Sequence, residues 1–356
     1  MPVSTDPGIS LDELRLAARN HAMPLEALRW PITPAGLHYL LVHYDVPIVD
    51  PTAWRLEIGG AVERPLTLTL DDLRARPAIE LTVTMECAGN GRALLEPRPV
   101  SQPWLTEAVG TARWTGVSLA SLLEEVAPRP ESLEVVFGGL DQGVEGGVEQ
   151  RYERSLSVDE AREAGALLAF AMNDAPLLPQ HGFPLRLVVP GWYGMTNVKW
   201  LSTITVVTEP FEGYQMVTSY RFRQTEDEAG RPVTRMRPRS LMVPPGVPDF
   251  STRARVVDAG LVRLEGRAWC GRAPIARVEV SVDGGATWDD AALDEARDGA
   301  WAWRGWSFAL EVRDPGEHVF CCRATDETGE TQPLEPDWNV GGFENNAVQR
   351  VPVLVR

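Results

Sequence analysis

The chain has 356 residues, of which 44% are hydrophobic and 24% charged, a composition typical of a folded protein with room for two domains. A formal net charge of −16 disfavours nucleic acid or an anionic membrane as a partner. Because no apolar run reaches the roughly 20 residues that span a bilayer, and the N-terminal sequence has no signal pattern, we expect a cytoplasmic protein.

The first two segments in chain order are a lead-in and a mixed domain. Residues 1–36 contain an amphipathic helix near residues 11–18, followed by proline-rich chain. Residues 37–232 then alternate short strands with helices at 118–126 and 158–164, without a regular strand-helix-strand rhythm. This pattern predicts an α+β domain. Its predicted strands are WRLEIGG, LTVTMEC, LEVVFGG, PLRLVVPG and KWLSTITVV.

The C-terminal part has a different pattern. Residues 225–249 are charged and rich in proline, and we interpret them as a solvated domain junction. Short alternating runs broken by turn residues follow, and Asp283-Gly284-Gly285 predicts a hairpin turn. The spacing of the runs predicts an immunoglobulin-like β-sandwich, and we place this domain at residues 233–356.

Cys87 stands in an unusual setting within LTVTMECAGNGRALL, where a strand delivers it onto a glycine-rich turn. An isolated cysteine after a strand is most often a small buried core residue. The turn Gly89-Asn90-Gly91, with backbone N–H groups facing outward, and the cation of Arg92 would instead favour a thiolate. Such a thiolate could be a nucleophile or a soft-metal ligand, and both alternatives stay open. The four cysteines form no CxxC pair, so we expect neither a disulfide framework nor a structural zinc site.

A second group of candidate residues lies in LLPQHGFPLRLVVPGWYGMTNVKW, residues 177–200. His181, Arg186 and Lys199 flank a buried strand and a glycine-containing turn, an arrangement that suits a phosphate or another multi-oxygen anion. A capped turn and a surface cation would explain His181 and Arg186 individually. Lys199 is the only lysine in the chain, which indicates a position where a compact point charge is needed.

Four segments together resemble the sulfite oxidase family of molybdenum enzymes. They are ECAGNGR at 86–92, TARWTGVSL at 111–119, LLAFAMNDAPLLPQHGFPLRLVVPGWYGMTNVKWL at 167–201 and GRAWCGRAPIARVEVSVDGGATW at 266–288. The resemblance runs from about residue 39 to the end. It implies an α+β molybdopterin-binding domain followed by an immunoglobulin-like dimerisation domain. It also implies molybdenum held by molybdopterin, with or without an attached nucleotide, and a homodimer.

The resemblance also implies roles for individual residues around the cofactor. Cys87 would be the single protein thiolate on molybdenum. Cations and histidines would bind the cofactor's phosphate, and Asp141 would accept hydrogen bonds from pterin N–H groups. The positions that match the family's cofactor-binding residues are Tyr39, His43, Asp141, His181, Arg186, Asn197, Val198 and Lys199.

Three further positions match residues that line the family's substrate pocket. Arg92 would attract an oxyanion, and Tyr220 would donate a hydrogen bond to the reacting oxygen. Trp104 would form a wall of the pocket, although ordinary core packing explains a tryptophan there almost as well.

The chain departs from the family pattern at three positions where sulfite oxidases carry arginine, Leu41, Gly91 and Gly341. Because a hydrogen bond to a charged group is worth ~1.5–3 kcal/mol, the loss of the two pocket cations at 41 and 341 should weaken the binding of a small dianion. This puts sulfite in doubt as the substrate. Arg235, Arg237 and Arg239 could compensate, but we interpret them as solvated.

We therefore expect a molybdopterin-dependent oxidoreductase that transfers an oxygen atom to or from a small oxyanion or an S- or N-oxide. Reduction of nitrate or of a sulfoxide or N-oxide is the alternative within the family. Electrons would pass to or from a separate carrier, such as a basic cytochrome or a flavoprotein. Two other classes stay open, a metal-free cysteine-nucleophile enzyme and a non-catalytic binding protein with a degenerate cofactor site. The intact Cys87, His181, Arg186 and Lys199 count against the last of these.

Overall fold

A computed structural model describes residues 3–4 and 8–356, and strands dominate it. The helices are α1 (Leu11–Ala17), α2 (Leu70–Arg74), α3 (Leu119–Val126), α4 (Val158–Glu163) and α5 (Tyr214–Val217). Short 3₁₀ segments lie at Leu25–Arg29, Arg92–Leu94, Pro179–His181 and Gly194–Thr196. None of the helices in this part of the chain combines the length and apolar character needed to cross a membrane.

The strands of the first 220 residues are β1 (Val3–Ser4), β2 (Leu56–Gly60), β3 (Leu66–Leu68), β4 (Ile79–Glu86), β5 (Arg98–Pro99), β6 (Val109–Ser118), β7 (Glu134–Glu145), β8 (Val148–Ser157), β9 (Leu167–Met172), β10 (Ala175–Pro176), β11 (Arg186–Val188) and β12 (Leu201–Val207). Two five-stranded sheets contain most of them. One has the order β10-β9-β6-β4, with β11 also pairing with β9, and the other has the order β3-β2-β12-β7-β8.

The remaining strands are β13 (Arg221–Phe222), β14 (Arg231–Pro232), β15 (Arg239–Met242), β16 (Val247–Pro248), β17 (Arg255–Val257), β18 (Gly260–Trp269), β19 (Ile275–Ser281), β20 (Asp289–Asp290), β21 (Ala292–Leu293), β22 (Arg304–Val312), β23 (Gly316–Asp326) and β24 (Gln349–Val355). A four-stranded sheet β15-β18-β22-β21 and a six-stranded sheet β16-β17-β24-β23-β19-β20 bury one shared apolar cluster, which includes Met242, Leu264, Trp306, Phe320 and Val353. The predicted α+β domain followed by a β-sandwich is thus confirmed.

Local sequence explains how the lead-in helix is placed. Helix α1 begins at a capping box, in which Ser10 and Glu13 each bond the other's backbone N–H. The fully buried carboxylate of Glu13 also pairs with Arg98 of β5 at 3.0 Å. The lead-in is therefore tied to the first domain by a buried ion pair. The predicted helix at 11–18 is confirmed to within one residue.

The interpretation of residues 225–249 as solvated is wrong for their central part. Strand β15 is buried along its whole length and pairs with β18. The Arg239 guanidinium lies 2.6 Å from the Glu86 carboxylate, and both side chains are almost completely buried. Arg235 stacks on Trp192. Arg237 pairs with two carboxylates of the sandwich, Glu330 and Asp337. The charges of Arg237 and Arg239 are thus neutralised by distant parts of the chain, which the local sequence does not reveal.

Glu86 joins three parts of the fold through one carboxylate. Its Oε1 accepts hydrogen bonds from Arg239 at 2.6 Å and from Asn90 at 3.0 Å. Its Oε2 accepts a hydrogen bond from the indole N–H of Trp269 at 2.8 Å. The end of β4, the turn that follows it and the first sheet of the sandwich are therefore fixed to one another.

We predict that Arg239→Met lowers the free energy of unfolding by about 3–5 kcal/mol, because it leaves the Glu86 charge buried without a partner. Urea unfolding followed by circular dichroism measures this loss. The control is Arg113→Met, which breaks an exposed pair with Asp174 and should cost no more than about 1 kcal/mol. A loss for Arg239→Met as small as that of the control would contradict the assigned role.

Candidate active site

Cys87 lies immediately after β4, where the chain turns sharply. Its N–H donates to Ala108 O at 2.9 Å, and its carbonyl accepts from Asn90 N at 3.0 Å. Gly91 has φ +89°, a left-handed conformation that favours glycine. A Cβ on Gly89 would lie 2.5 Å from the Arg92 guanidinium, so only glycine lets this arginine approach. The N–H groups of Asn90 and Arg92 close the turn, which corrects the expectation that they face outward.

The environment of Cys87 does not by itself favour a thiolate. Burial raises the pKa of the Cys87 thiol, while Arg92, the Gly89 N–H and the Trp104 indole oppose that shift. Arg92 thus acts on the pKa of Cys87 in the direction expected from the sequence, but desolvation has the larger effect. A bound metal ion would reverse the balance, since a coordinating thiol loses its proton outright.

Most of the predicted cofactor residues surround one pocket, here called the inner pocket. It is lined by Tyr39, His43, Cys87, Asp141, His181, Arg186, Asn197, Lys199 and Tyr220, and also by His38, Met85 and Tyr152. The side chain of Val198 does not line this pocket and lies in an apolar core cluster instead. Sequence reasoning missed His38, and the only signal was its position directly before Tyr39.

Two buried cations of the inner pocket are held by carbonyls and aromatic rings. Arg186 donates to the carbonyls of His181 and Asn197 at 3.2 and 3.3 Å and lies 4.8 Å from the centroid of the Trp114 ring. Burial lowers the pKa of Arg186 to about 10. Its burial shows that the surface-cation interpretation of this residue is wrong.

Lys199 donates to Leu41 O at 2.7 Å and to Gln180 O at 3.3 Å, and it lies 4.4 Å from the centroid of the Trp200 ring. Burial lowers its pKa, and burial raises the pKa of nearby Asp141. These two groups act on each other electrostatically, but no hydrogen bond joins them in the described part of the chain. Each therefore has bonding capacity left for a ligand.

Three buried polar atoms of this pocket have no hydrogen-bond partner among residues 3–4 and 8–356: His38 Nε2, Arg186 Nε and Asp141 Oδ1. Buried polar groups are normally paired, so such atoms indicate a missing ligand. A molecule with an anionic phosphate for Arg186 Nε and with N–H groups for Asp141 Oδ1 and His38 Nε2 would satisfy all three, because the neutral His38 ring donates from Nδ1 to Tyr39 O and can only accept at Nε2. The residues present thus fit molybdopterin.

The buried histidines His38 and His181 are uncharged at neutral pH. Their ring centroids are 5.7 Å apart, and both residues are only 2% exposed. Burial lowers the pKa of His38 to about 4 and that of His181 to about 2, with the cation of Arg186 acting in the same direction on both. They are therefore neutral hydrogen-bonding groups beside the buried cations.

A second cavity, here called the outer pocket, opens on the other side of Cys87. Cys87, Leu41, His43 and Tyr220 belong to both pockets, and the outer one adds chiefly Arg92, Gln102, Glu145 and Phe343. Arg92 is fixed there by Gly341 O at 3.0 Å, Gln102 O at 3.2 Å and the Phe343 ring at 5.1 Å. The position where the family pattern has an arginine, Gly341, thus contributes a carbonyl to Arg92.

Tyr220 is held in a strained conformation at the boundary of the two pockets. Its φ of +48° is uncommon for a residue with a bulky side chain. Its hydroxyl lies 2.5 Å from His43 Nε2, and burial raises the pKa of Tyr220 well above its usual value. Trp104 is buried with Cys87 in one cluster but lines neither pocket. Tyr220 therefore keeps its proton at neutral pH, and Trp104 packs in the same buried cluster as the thiol.

Fold and site together indicate a molybdopterin-binding protein. The family model "Oxidoreductase molybdopterin binding domain" matches residues 43–215, and "Mo-co oxidoreductase dimerisation domain" matches residues 244–356. Sulfite oxidase of Gallus gallus is 36% identical over 90% of this chain and 72% of its own length. The chain therefore belongs to the sulfite oxidase family, which confirms the resemblance found in its sequence.

Other relatives show the breadth of that family. Mitochondrial sulfite oxidase of Mus musculus is 36% identical over 91% of this chain, and the chain spans only 62% of that relative's length. Nitrate reductase [NADH] 1 of Oryza sativa subsp. japonica is 33% identical, with 91% of this chain and 38% of the relative covered. The crystal structure of the sulfane dehydrogenase SoxCD from Paracoccus pantotrophus matches with a TM-score of 0.80 and 28% identity, over 92% of this chain and 82% of that one. The family thus includes proteins named for different substrates.

We predict that the cofactor-free protein loses stability as the pH falls from 6.5 towards 4. In the unfolded chain a histidine binds a proton near pH 6.5, whereas folded His38 and His181 resist protonation until lower pH. Stability from each is complete above pH 6.5 and falls by up to about 1.4 kcal/mol per pH unit below it. Thermal unfolding at a series of pH values measures the slope. His38→Phe should reduce this slope, and an unchanged slope would contradict the assignment.

Proposed function

We propose that the protein transfers an oxygen atom between water and a small oxyanion or an S- or N-oxide, with molybdenum bound by Cys87. The observation that carries this proposal is the position of Cys87, which lines both pockets. A thiolate at this boundary would face a cofactor on one side and a substrate on the other. The cofactor supplies the two-electron redox chemistry when it is bound.

The inner pocket would hold the cofactor through complementary charge. Arg186 and Lys199 are buried cations that donate to carbonyls and, for Arg186, also to the Met85 sulfur, and they would bind its phosphate. Neutral His38 and His181 would add hydrogen bonds. The unpaired oxygen of Asp141 would accept from pterin N–H groups. Tyr39, His43 and the backbone around Asn197 complete the proposed binding set, which the side chain of Val198 does not join.

The outer pocket would bind and orient the substrate. Arg92 brings a positive charge next to Cys87, and two carbonyls fix the orientation of its guanidinium. Tyr220 keeps its proton at neutral pH and would donate a hydrogen bond to the oxygen that is transferred. His43 Nε2 is hydrogen-bonded to that hydroxyl and would hold the ring in position, and with the histidine proton on Nε2 the hydroxyl proton stays available to the substrate. Trp104 would exclude water from the far side of the thiol.

The substrate itself is the least constrained part of the proposal. Relatives carry the names sulfite oxidase, nitrate reductase and sulfane dehydrogenase. Leu41 in the pocket wall and the carbonyl contributed by Gly341 leave Arg92 as the arginine that lines the outer pocket. Fewer arginines in the wall weaken the binding of a dianion relative to the family pattern, so reduction of nitrate or of an S- or N-oxide is the second candidate.

We further propose a homodimer formed through the domain at residues 244–356, because that part of the chain matches the dimerisation-domain model. A separate electron carrier is proposed as well. The net charge of −16 would attract a basic cytochrome, and a flavoprotein is the other option. A cytoplasmic location stays a prediction.

The test of the cofactor is to measure molybdenum by elemental mass spectrometry and the oxidised pterin by fluorescence after acid release. Protein produced in a host that makes the cofactor should contain near-stoichiometric amounts of both. Sulfite, nitrate, dimethyl sulfoxide and trimethylamine N-oxide are then tested with an artificial electron carrier. Protein without metal and pterin would contradict the proposal and favour a binding protein with a degenerate site.

We predict that Cys87→Ser keeps the fold and the pterin but loses turnover by at least a hundredfold, because a hydroxyl is a poor ligand for a soft metal. Turnover, pterin content and circular dichroism are compared with those of the wild type. The matched control is Cys270→Ser, a partly buried cysteine in the sandwich, which should retain activity. Unchanged turnover in Cys87→Ser would refute the ligand assignment.

We predict that Lys199→Ala lowers pterin occupancy at least tenfold under limiting cofactor, since a hydrogen bond from a charged group to phosphate is worth ~1.5–3 kcal/mol. Pterin fluorescence per mole of purified protein measures the occupancy. Arg129→Ala, which removes an exposed cation paired with Glu63, is the control and should keep full occupancy. Full occupancy in Lys199→Ala would rule out the phosphate role.

A further inference from the structure

Arg154 is a buried cation that none of the roles above uses. It lies in β8 and is only 2% exposed. One guanidinium N–H group donates to the backbone carbonyl of Gln215, while Nε has no hydrogen-bond partner in the described part of the chain. Burial lowers the pKa of Arg154. A charge in this position disfavours folding unless something in the protein or a ligand compensates it.

No carboxylate compensates Arg154. The groups that act electrostatically on it are the phenols of Tyr152 and Tyr220, and no ion pair involving it occurs within residues 3–4 and 8–356. Arg98 and Arg239 are buried arginines with carboxylate partners, Glu13 and Glu86. Arg255 is buried without an ion pair in the described part of the chain, but it donates to three carbonyls, whereas Arg154 donates to one. An unpaired buried charge that is kept despite its cost indicates a functional use.

The guanidinium of Arg154 faces the active site through Tyr220. Its centre lies 5.6 Å from the centroid of the Tyr220 ring, within the range of a cation–π contact. The Phe343 ring lies 5.1 Å from the same ring, and the hydroxyl of Tyr220 bonds to His43. Arg154 also acts electrostatically on His43. The strained backbone of Tyr220 is thus accompanied by several contacts that determine where its ring lies.

We propose that Arg154 is a positioning residue, which holds the Tyr220 ring against the outer pocket and supplies that pocket with the second positive charge that Leu41 does not provide. This rests on the proposed function, in which Tyr220 and Arg92 contact the substrate. The charge acts through the aromatic ring and a medium with little water, where electrostatic attraction extends further than in solvent. Arg154 itself does not line the pocket. A substrate anion is therefore attracted by Arg92 directly and by Arg154 from behind Tyr220.

The test compares Arg154→Met with Arg154→Lys in the purified holoenzyme, with two readouts. Sulfate, a non-reacting anion, is titrated by calorimetry, and Arg92→Met identifies the part of the signal that arises in the outer pocket. The values of kcat and KM are measured for whichever of sulfite, nitrate, dimethyl sulfoxide and trimethylamine N-oxide the wild type converts. Arg154→Met should bind sulfate at least tenfold more weakly and lose at least tenfold in kcat/KM, whereas Arg154→Lys should stay within threefold of the wild type.

Thermal unfolding separates this role from a purely structural one. Removing an unpaired buried charge should leave the Tm of Arg154→Met equal to or above that of the wild type. The control is Arg255→Met, because Arg255 is also buried and donates to the carbonyls of Pro244, Pro245 and Gly246. It should lower the Tm without changing sulfate affinity.

The proposal is overturned if Arg154→Met binds sulfate within threefold of the wild type, or if the wild type shows no sulfate binding in the outer pocket. It is also overturned if Arg154→Met and Arg154→Lys both have a lower Tm than the wild type and both bind sulfate more weakly. A wild type without molybdenum, or without turnover of any probe, would instead refute the proposed function. The sulfate titration would still decide the role of Arg154 in that case.

Discussion

The buried ion pair between Glu86 and Arg239 is the contact on which the geometry of the site depends. Because a carboxylate is costly to bury, Glu86 must have its charge and its lone pairs satisfied, and Arg239, Asn90 and Trp269 do so together. Those partners come from the sandwich and from the turn that contains Cys87. Because the Glu86 charge must be compensated, the Cys87 thiol is held in a fixed position relative to both domains. A metal ligand needs a precise position of this kind, and surrounding hydrogen bonds provide it.

The other buried charges divide into two kinds. Glu13 with Arg98 and Glu86 with Arg239 are complete pairs that join distant segments of the chain. Arg92, Arg186 and Lys199 have carbonyls and aromatic faces around them instead, so their hydrogen bonds are partly satisfied while their charge is not. A bound anion can supply the missing charge in each case. These uncompensated charges lower the stability of the ligand-free protein at the place where a ligand would bind, as is common at functional sites.

Local patterns predicted much of the fold, because the alternation in LTVTMEC and the helix start at Ser10 are properties of short segments. The candidate site followed from the motif around Cys87 and from its resemblance to a family. Predictions about single side chains were wrong or incomplete where those side chains contact residues far away in the sequence. Arg239 is neutralised by a residue 153 positions earlier, and the pKa of Cys87 is set by burial that no neighbouring residue encodes. The side chain of Val198 lies in the apolar core because of residues distant in the sequence, which the local motif does not reveal.

Gly341 shows how the outer pocket can select a substrate with a single arginine in its wall. Gly341 has no side chain where the family pattern has another cation, and its backbone O accepts from Arg92 Nε, while Gln102 O accepts from a second nitrogen. Two of the three nitrogens of the guanidinium are thus engaged, and the orientation of the third is fixed. A freely rotating cation would attract any anion by charge alone. A guanidinium with a fixed orientation binds more tightly the ligands whose oxygen lies along the direction of its free N–H groups. Selectivity here therefore depends on shape as much as on charge.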